Sequence, residues 1–79
     1  MPRKVPSLKA NQLIRVLKSG GCEFHKEGKG DHKLYVRHVG PQKRVVPIDM
    51  GQREFSPPYV LRILRQFGFT DNEIEVLLS

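Results

Sequence analysis

Gly28-Lys29-Gly30-Asp31-His32-Lys33-Leu34-Tyr35-Val36-Arg37-His38-Val39-Gly40-Pro41-Gln42-Lys43-Arg44-Val45-Val46-Pro47-Ile48 is the stretch that decides the fold. Asp31 to Val39 alternates with period two, placing Leu34 and Val36 on one side of a strand and Lys33, Tyr35 and Arg37 on the other. Gly40-Pro41-Gln42 is turn chemistry and leads into Lys43 to Ile48, where Pro47 either ends the strand or places it at a sheet edge. Upstream, Cys22 to Lys26 alternates as well, and Glu27-Gly28-Lys29-Gly30 supplies the hairpin turn between these two runs. The expectation is a sheet of three antiparallel strands.

Helical patterns flank it. Ser7 precedes apolar residues at Ala10, Leu13, Ile14 and Leu17, with Gly20 and Gly21 available as a stop, which predicts a helix from about Leu8 to Lys18. Ser56 and Pro57 have the form of an N-cap and first helical residue, and Val60, Leu61, Leu64 and Phe67 form a stripe before Gly68. That predicts a second helix over Pro57 to Phe67. Thr70-Asp71-Asn72-Glu73 has capping-box spacing ahead of Ile74, Leu77 and Leu78, so a short terminal helix follows. The fold class is therefore α+β, in the order α-β-β-β-α with a further short α, as one domain over residues 1–79. A half-apolar sheet needs cover on one face, so both long helices should lie on it. With Leu34 and Val36 turned inward, Lys33, Tyr35 and Arg37 would project onto the open face.

The composition narrows the function. Fourteen Lys and Arg against eight Asp and Glu give a formal charge of +6, and the isoelectric point is near 9.9. The last ten residues carry only Asp71, Glu73 and Glu75, so the positive charge belongs to the body of the domain and suits a polyanionic partner. A chain of 79 residues is too short to enclose a bulky cofactor, and Cys22, the single cysteine, excludes an intrachain disulfide and a cysteine-rich zinc module. Nothing in the sequence calls for a small-molecule cofactor or a metal. No signal-peptide pattern and no apolar run of membrane-spanning length appears, which points to the cytoplasm.

One segment can carry chemistry. His32 stands just after a glycine turn at a strand margin, where an imidazole can take a proton from a ribose 2′-hydroxyl or give one to a leaving 5′-oxygen. Lys29, Lys33, Lys43, Arg44 and Arg37 are the cations available to bind phosphate, with Gly30 keeping the approach open. Asp31 lies next to His32 in the chain, but adjacent strand residues point to opposite faces, so the group that orients the imidazole must come from elsewhere.

In its order and spacing the chain resembles the HicA (YcfA-like) toxins of type II toxin–antitoxin modules. The likeness rests on Leu13, Ile14 and Leu17, then Gly20-Gly21-Cys22-Glu23-Phe24, Gly30-x-His32, Val45-Val46-Pro47, and Leu61-Arg62-Ile63-Leu64-Arg65-Gln66-Phe67-Gly68 before Phe69. The resemblance implies a fold like that of double-stranded-RNA-binding domains and a metal-independent mRNA endoribonuclease with His32 as catalytic histidine. It also implies a HicB-type antitoxin that masks the active surface. Two positions depart from the pattern: Asp31 replaces the usual small residue before the histidine, and Ile48-Asp49-Met50 lacks a further histidine found in many members. Beside this reading stand a non-catalytic RNA-binding module of the same fold and, on Pro57-Pro58-Tyr59 and the acidic terminal helix, a purely protein-binding role.

Overall fold

The computed structural model describes residues 4–79, and the first three residues of the expected 1–79 domain, including the basic Arg3, lie outside the described residues. Six elements follow one another: α1 (Ala10–Ser19), β1 (Glu23–Glu27), β2 (His32–Val39), β3 (Gln42–Asp49), α2 (Pro57–Gln66) and α3 (Asp71–Leu78). The strands form one antiparallel sheet in the order β1-β2-β3. This is the expected α+β architecture, with Pro47 tolerated inside β3 because β3 is an edge strand.

α1 begins two residues later than its apolar pattern suggests. Leu8 is bridged to Phe55 by both backbone bonds (Leu8 N to Phe55 O, 3.1 Å; Phe55 N to Leu8 O, 2.7 Å), so its backbone is held extended. Lys9 becomes the N-cap, and its N–H donates to Gln12 Oε1 at 2.8 Å. α2 stops at Gln66 with Phe67 as its C-cap, and Ile63, outside the anticipated stripe, is buried along with Val60 and Leu64. The capping box of α3 forms as its sequence indicates: Glu73 N–H donates to Thr70 Oγ1 and Thr70 N–H to Glu73 Oε1.

The sheet presents the opposite face to the helices from the one expected. Tyr35, Val46 and Ile48 join Leu13, Leu17, Val60, Ile63, Leu64, Phe67 and Ile74 in one buried cluster, while Val36 is not part of it. The register explains why: Tyr35 lies opposite Val46, Lys33 opposite Ile48 and Arg37 opposite Arg44, so these six side chains share one face. Alternation in β2 alone weighs Leu34 and Val36 against Lys33, Tyr35 and Arg37. The strongly apolar pair Val46 and Ile48 on β3 decides the matter, and β2 follows by pairing. Leu34, Val36, Val45 and Pro47 consequently lie on the face without helices, together with His32, His38 and Lys43.

Arg37 is accommodated on the covered face by three contacts. Its Nη1 donates to the carbonyl of Phe67 at 2.9 Å, its Nη2 pairs with Glu73 at 3.4 Å, and its guanidinium carbon sits 3.9 Å from the centre of the Phe69 ring. The first contact satisfies an orphan carbonyl just past α2 and places positive charge at the negative end of that helix. Arg44 supports the same end through Gln66 O at 3.4 Å and packs against Gly68, whose φ of 83° only glycine adopts readily. Nearby, burial pushes the Cys22 thiol up to about 11, partly opposed by the positive charge of Arg37.

Arg37→Met, which keeps length and apolar bulk, is expected to lower unfolding free energy by about 2 kcal/mol, since a charge-assisted bond and a cation–π contact are both lost. Urea denaturation reads this directly. Glu73 is held below the ordinary carboxylate value by its bonds to the Thr70 backbone and hydroxyl and by the charge of Arg37. Its contribution is therefore complete above that ordinary value and is lost as pH falls through the lower folded-state value. Glu73→Gln should flatten the acid limb of the stability profile and leave the profile near neutrality parallel to that of the parent chain.

Candidate functional site

His32 opens β2, at the end of the hairpin turn that joins it to β1. The turn is closed by Gly28 N–H to His32 O at 2.8 Å and His32 N–H to Lys29 O at 3.0 Å, with Gly30 at φ 57°. The same Lys29 carbonyl lies 3.1 Å from His32 Nδ1. A ring that carries its proton on Nδ1 donates it there, which fixes the imidazole plane and leaves the lone pair on Nε2. The orienting group is thus a backbone carbonyl three residues upstream. His32 is exposed and belongs to the helix-free face of the sheet.

Asp31 has different neighbours. Its backbone carbonyl accepts from Met50 N–H at 2.9 Å, and its carboxylate lies against Gly51, with Oδ2 2.7 Å from where a Cβ on that glycine would stand. Asp49, opposite His32 in the register, accepts from Gly51 N–H at 2.9 Å and from Gln52 Nε2 at 3.2 Å. Both carboxylates are therefore directed into the turn that follows β3, while the imidazole is held against the turn before β2.

The basic residues divide into three groups. Lys29 and Gly30 are exposed in the turn beside His32. Lys33, next along β2, lies half-buried on the opposite face between Glu27 and Ile48 in the register. Lys43 shares the face of His32 but pairs with His38, six residues up the strand and about 20 Å away at the usual rise. Arg37 and Arg44 face the helices and are bound to the carbonyls of Phe67 and Gln66. The expectation that Arg37 lies on the open face is corrected by these contacts: the arginines tie β2 and β3 to the end of α2.

Lys26 is the cation that the sequence reading passed over. It pairs with Leu34, two residues from His32 on the same face, which makes it a diagonal neighbour of the imidazole at about 7–8 Å between backbones. Counting outward from the Gly28–His32 closure would have placed it there. The obstacle is a bulge at His25, where the pairing shifts between Phe24 and Lys26, so simple alternation in β1 assigns its faces incorrectly.

Among the described residues, no three His, Cys, Asp or Glu side chains converge as a metal-holding group, and no helix is long and apolar enough to cross a membrane. A family model described as the HicA toxin of bacterial toxin–antitoxin matches residues 10–69, from the first residue of α1 to Phe69 and with His32 inside. No curated protein and no solved structure matches this chain.

Gly30 is required for its backbone angle and not for space, since a Cβ there would meet nothing within 4 Å. Gly30→Asn should fold with little loss, whereas Gly30→Val should cost about 1–2 kcal/mol, because a β-branched residue resists the left-handed conformation. Thermal melts of the two variants, with an NMR shift of the His32 imidazole in the valine variant, check both statements.

Proposed function

The chain belongs to the HicA toxin family of bacterial toxin–antitoxin systems, and from that premise we propose that it is an mRNA endoribonuclease acting through His32 without a metal ion. The observation that carries this reading is the exposed imidazole on the helix-free sheet face, with Nδ1 3.1 Å from the Lys29 carbonyl, a contact that a proton on Nδ1 makes and that then leaves the Nε2 lone pair available.

Nε2 takes the proton of a ribose 2′-hydroxyl. The freed oxygen attacks the adjoining phosphorus, the bond from phosphorus to the 5′-oxygen breaks in line, and the leaving oxygen is protonated from water. The products are a 2′,3′-cyclic phosphate and a 5′-hydroxyl end. Lys29 in the turn and Lys26 across the strand supply positive charge to the phosphate as its equatorial oxygens gain negative charge. Lys33 adds charge at the sheet margin, and Lys43 extends the track along the strand. Arg37 and Arg44, drawn to the helix side, contribute to the field without touching the strand of RNA. Gly30 shapes the turn. The direction of Asp31 into the Asp49–Gly51 turn favours catalysis over a purely binding role, since its carboxylate points to groups other than the imidazole.

Family membership brings an antitoxin as partner. A HicB-type protein with an acidic surface would bind a domain of charge +6 quickly and exclude RNA by competing for the same cations. Messenger RNA as substrate places the activity in the cytoplasm.

His32→Ala is expected to reduce cleavage of purified RNA by at least about 100-fold, the usual scale for loss of a general base, and to relieve growth arrest on induction. EDTA should leave the wild-type rate unchanged, and end-group analysis should find cyclic phosphate. Loss of activity in EDTA would remove the proposed mechanism, and equal arrest by wild type and His32→Ala would favour the non-catalytic RNA-binding module.

A further inference from the structure

Phe55, Tyr59 and Arg62 are neighbours over the first turns of α2. The Phe55 ring, 2% exposed, is anchored in the core and lies nearly parallel to the Tyr59 ring, with centres 5.1 Å apart and 13° between planes. The guanidinium carbon of Arg62 lies 5.2 Å from the centre of the Tyr59 ring. Tyr59 is half-buried and Arg62 exposed. Arg62 also stands between two shallow surface hollows of about 310 and 380 Å³, one bordered by Ser56, Pro58 and Tyr59, the other by Pro58, Leu61, Arg65 and Gln66.

Three features bear on what this arginine can do. Arg37 and Arg65 pair with Glu73 and Asp71, whereas among the described residues no carboxylate pairs with Arg62. The segment Pro57–Gln66 contains no Asp or Glu at all, so nothing on its own helix neutralises it. The Tyr59 ring that it approaches is itself stacked on a core residue, which sets the guanidinium beside an anchored aromatic ring.

The length of the loop from β3 to α2 limits how far Phe55 can stand from His32. His32 is opposite Asp49 at the close of β3, and six residues then lead to Phe55, a span of at most about 22 Å, with Phe55 pinned by its bridge to Leu8. A strand of a few nucleotides whose phosphate sits at His32 can therefore reach α2 around the β3 edge.

We propose that Tyr59 and Arg62 form a stacking subsite for one unpaired nucleobase of single-stranded RNA, a few nucleotides from the bond cleaved at His32. The proposal rests on the endoribonuclease reading above and adds to it a second point of attachment. An unpaired base offers a π face that stacks on a guanidinium plane, and this contact tolerates any base while requiring that the base be free of a duplex. The subsite would thus select single strands over duplex RNA. An acidic protein surface would also be drawn to the charge of Arg62 but would gain nothing from the plane of the stack.

The test uses the full chain carrying His32→Ala, so that RNA is bound and not cut, and fluorescein-labelled oligoribonucleotides in which a single abasic site is moved along the sequence. Fluorescence anisotropy should show one position where the abasic site weakens binding about tenfold, the scale of one base stack. Arg62→Ala should weaken binding of the intact oligonucleotide by a similar factor and be indifferent to the abasic site. Arg62→Lys, which keeps the charge and loses the plane, should resemble Arg62→Ala. Full affinity in Arg62→Lys, or a uniform response to the abasic site in every variant, would overturn the stacking subsite. So would unchanged RNA binding by Arg62→Ala with loss of antitoxin binding, which would assign the stack to a protein partner. These results leave the endoribonuclease reading standing if the wild type cleaves RNA. That reading fails separately if the wild type neither binds nor cleaves any of the oligonucleotides.

Discussion

The organisation of the domain depends on how Arg37 is kept inside it. A guanidinium on the covered face of a sheet is costly unless its donors and its charge are answered. The Phe67 carbonyl, the Glu73 carboxylate and the Phe69 ring answer them from the link between α2 and α3. In doing so Arg37 joins the middle of β2 to the end of one helix and the first turn of the next. Two further constraints converge there: Gly68 takes a left-handed turn against Arg44, and a Cβ on Gly20 would stand 2.7 Å from the Phe69 ring. The close approach of α1, the sheet and the α2–α3 turn leaves little freedom for the helical layer to shift across the strands.

With the helices fixed on that side, the opposite side of the sheet is free by default, and the parity of β2 sends His32 there. The two ends of the strand thus have separate tasks. Its interior arginine is occupied with architecture, and its first residue stands exposed on the face that the helices leave free, where the proposed RNA substrate would have access. The Lys29 carbonyl that holds the imidazole belongs to the same turn that starts the strand, so forming the hairpin also orients the ring. No distant residue has to be brought into place for it.

Much of this was legible in the sequence. Strand count, element order and the capping box of α3 follow from local patterns, because each depends on residues close together in the chain, whereas the two alternatives open to Pro47 are decided by sheet order. The place of His32 behind a glycine turn is equally local, but the role proposed for it comes from the family resemblance and not from spacing. The face of the sheet could not be read from β2 by itself. Tyr35 is amphipathic, and Arg37 counts as polar until its partners thirty and more residues away are known. The paired apolar residues Val46 and Ile48 hold the needed information, but it becomes usable only through register. Lys26 was hidden by the His25 bulge, and the start of α1 by the Leu8–Phe55 bridge, both consequences of pairing between segments.

The division of the basic residues changes what the charge of +6 means. Taken as a total it suggests a uniformly cationic surface, yet Arg37 and Arg44 are turned to helix-terminal carbonyls, and Arg65 is paired with Asp71. Asp31 and Asp49, the carboxylates nearest His32 in chain or register, are drawn toward Gly51, and Asp49 is held there by the bond from its N–H. What remains near the imidazole is Lys29 and Lys26, two flexible point charges, with the planar Arg62 in α2 beyond the loop that follows β3. In the proposed cleavage, lysines can follow a phosphate whose geometry changes, whereas a guanidinium beside an aromatic ring offers its plane to a group that does not react. Such a distribution suits a small domain without a deep pocket, because the substrate itself provides the length over which separate weak contacts add.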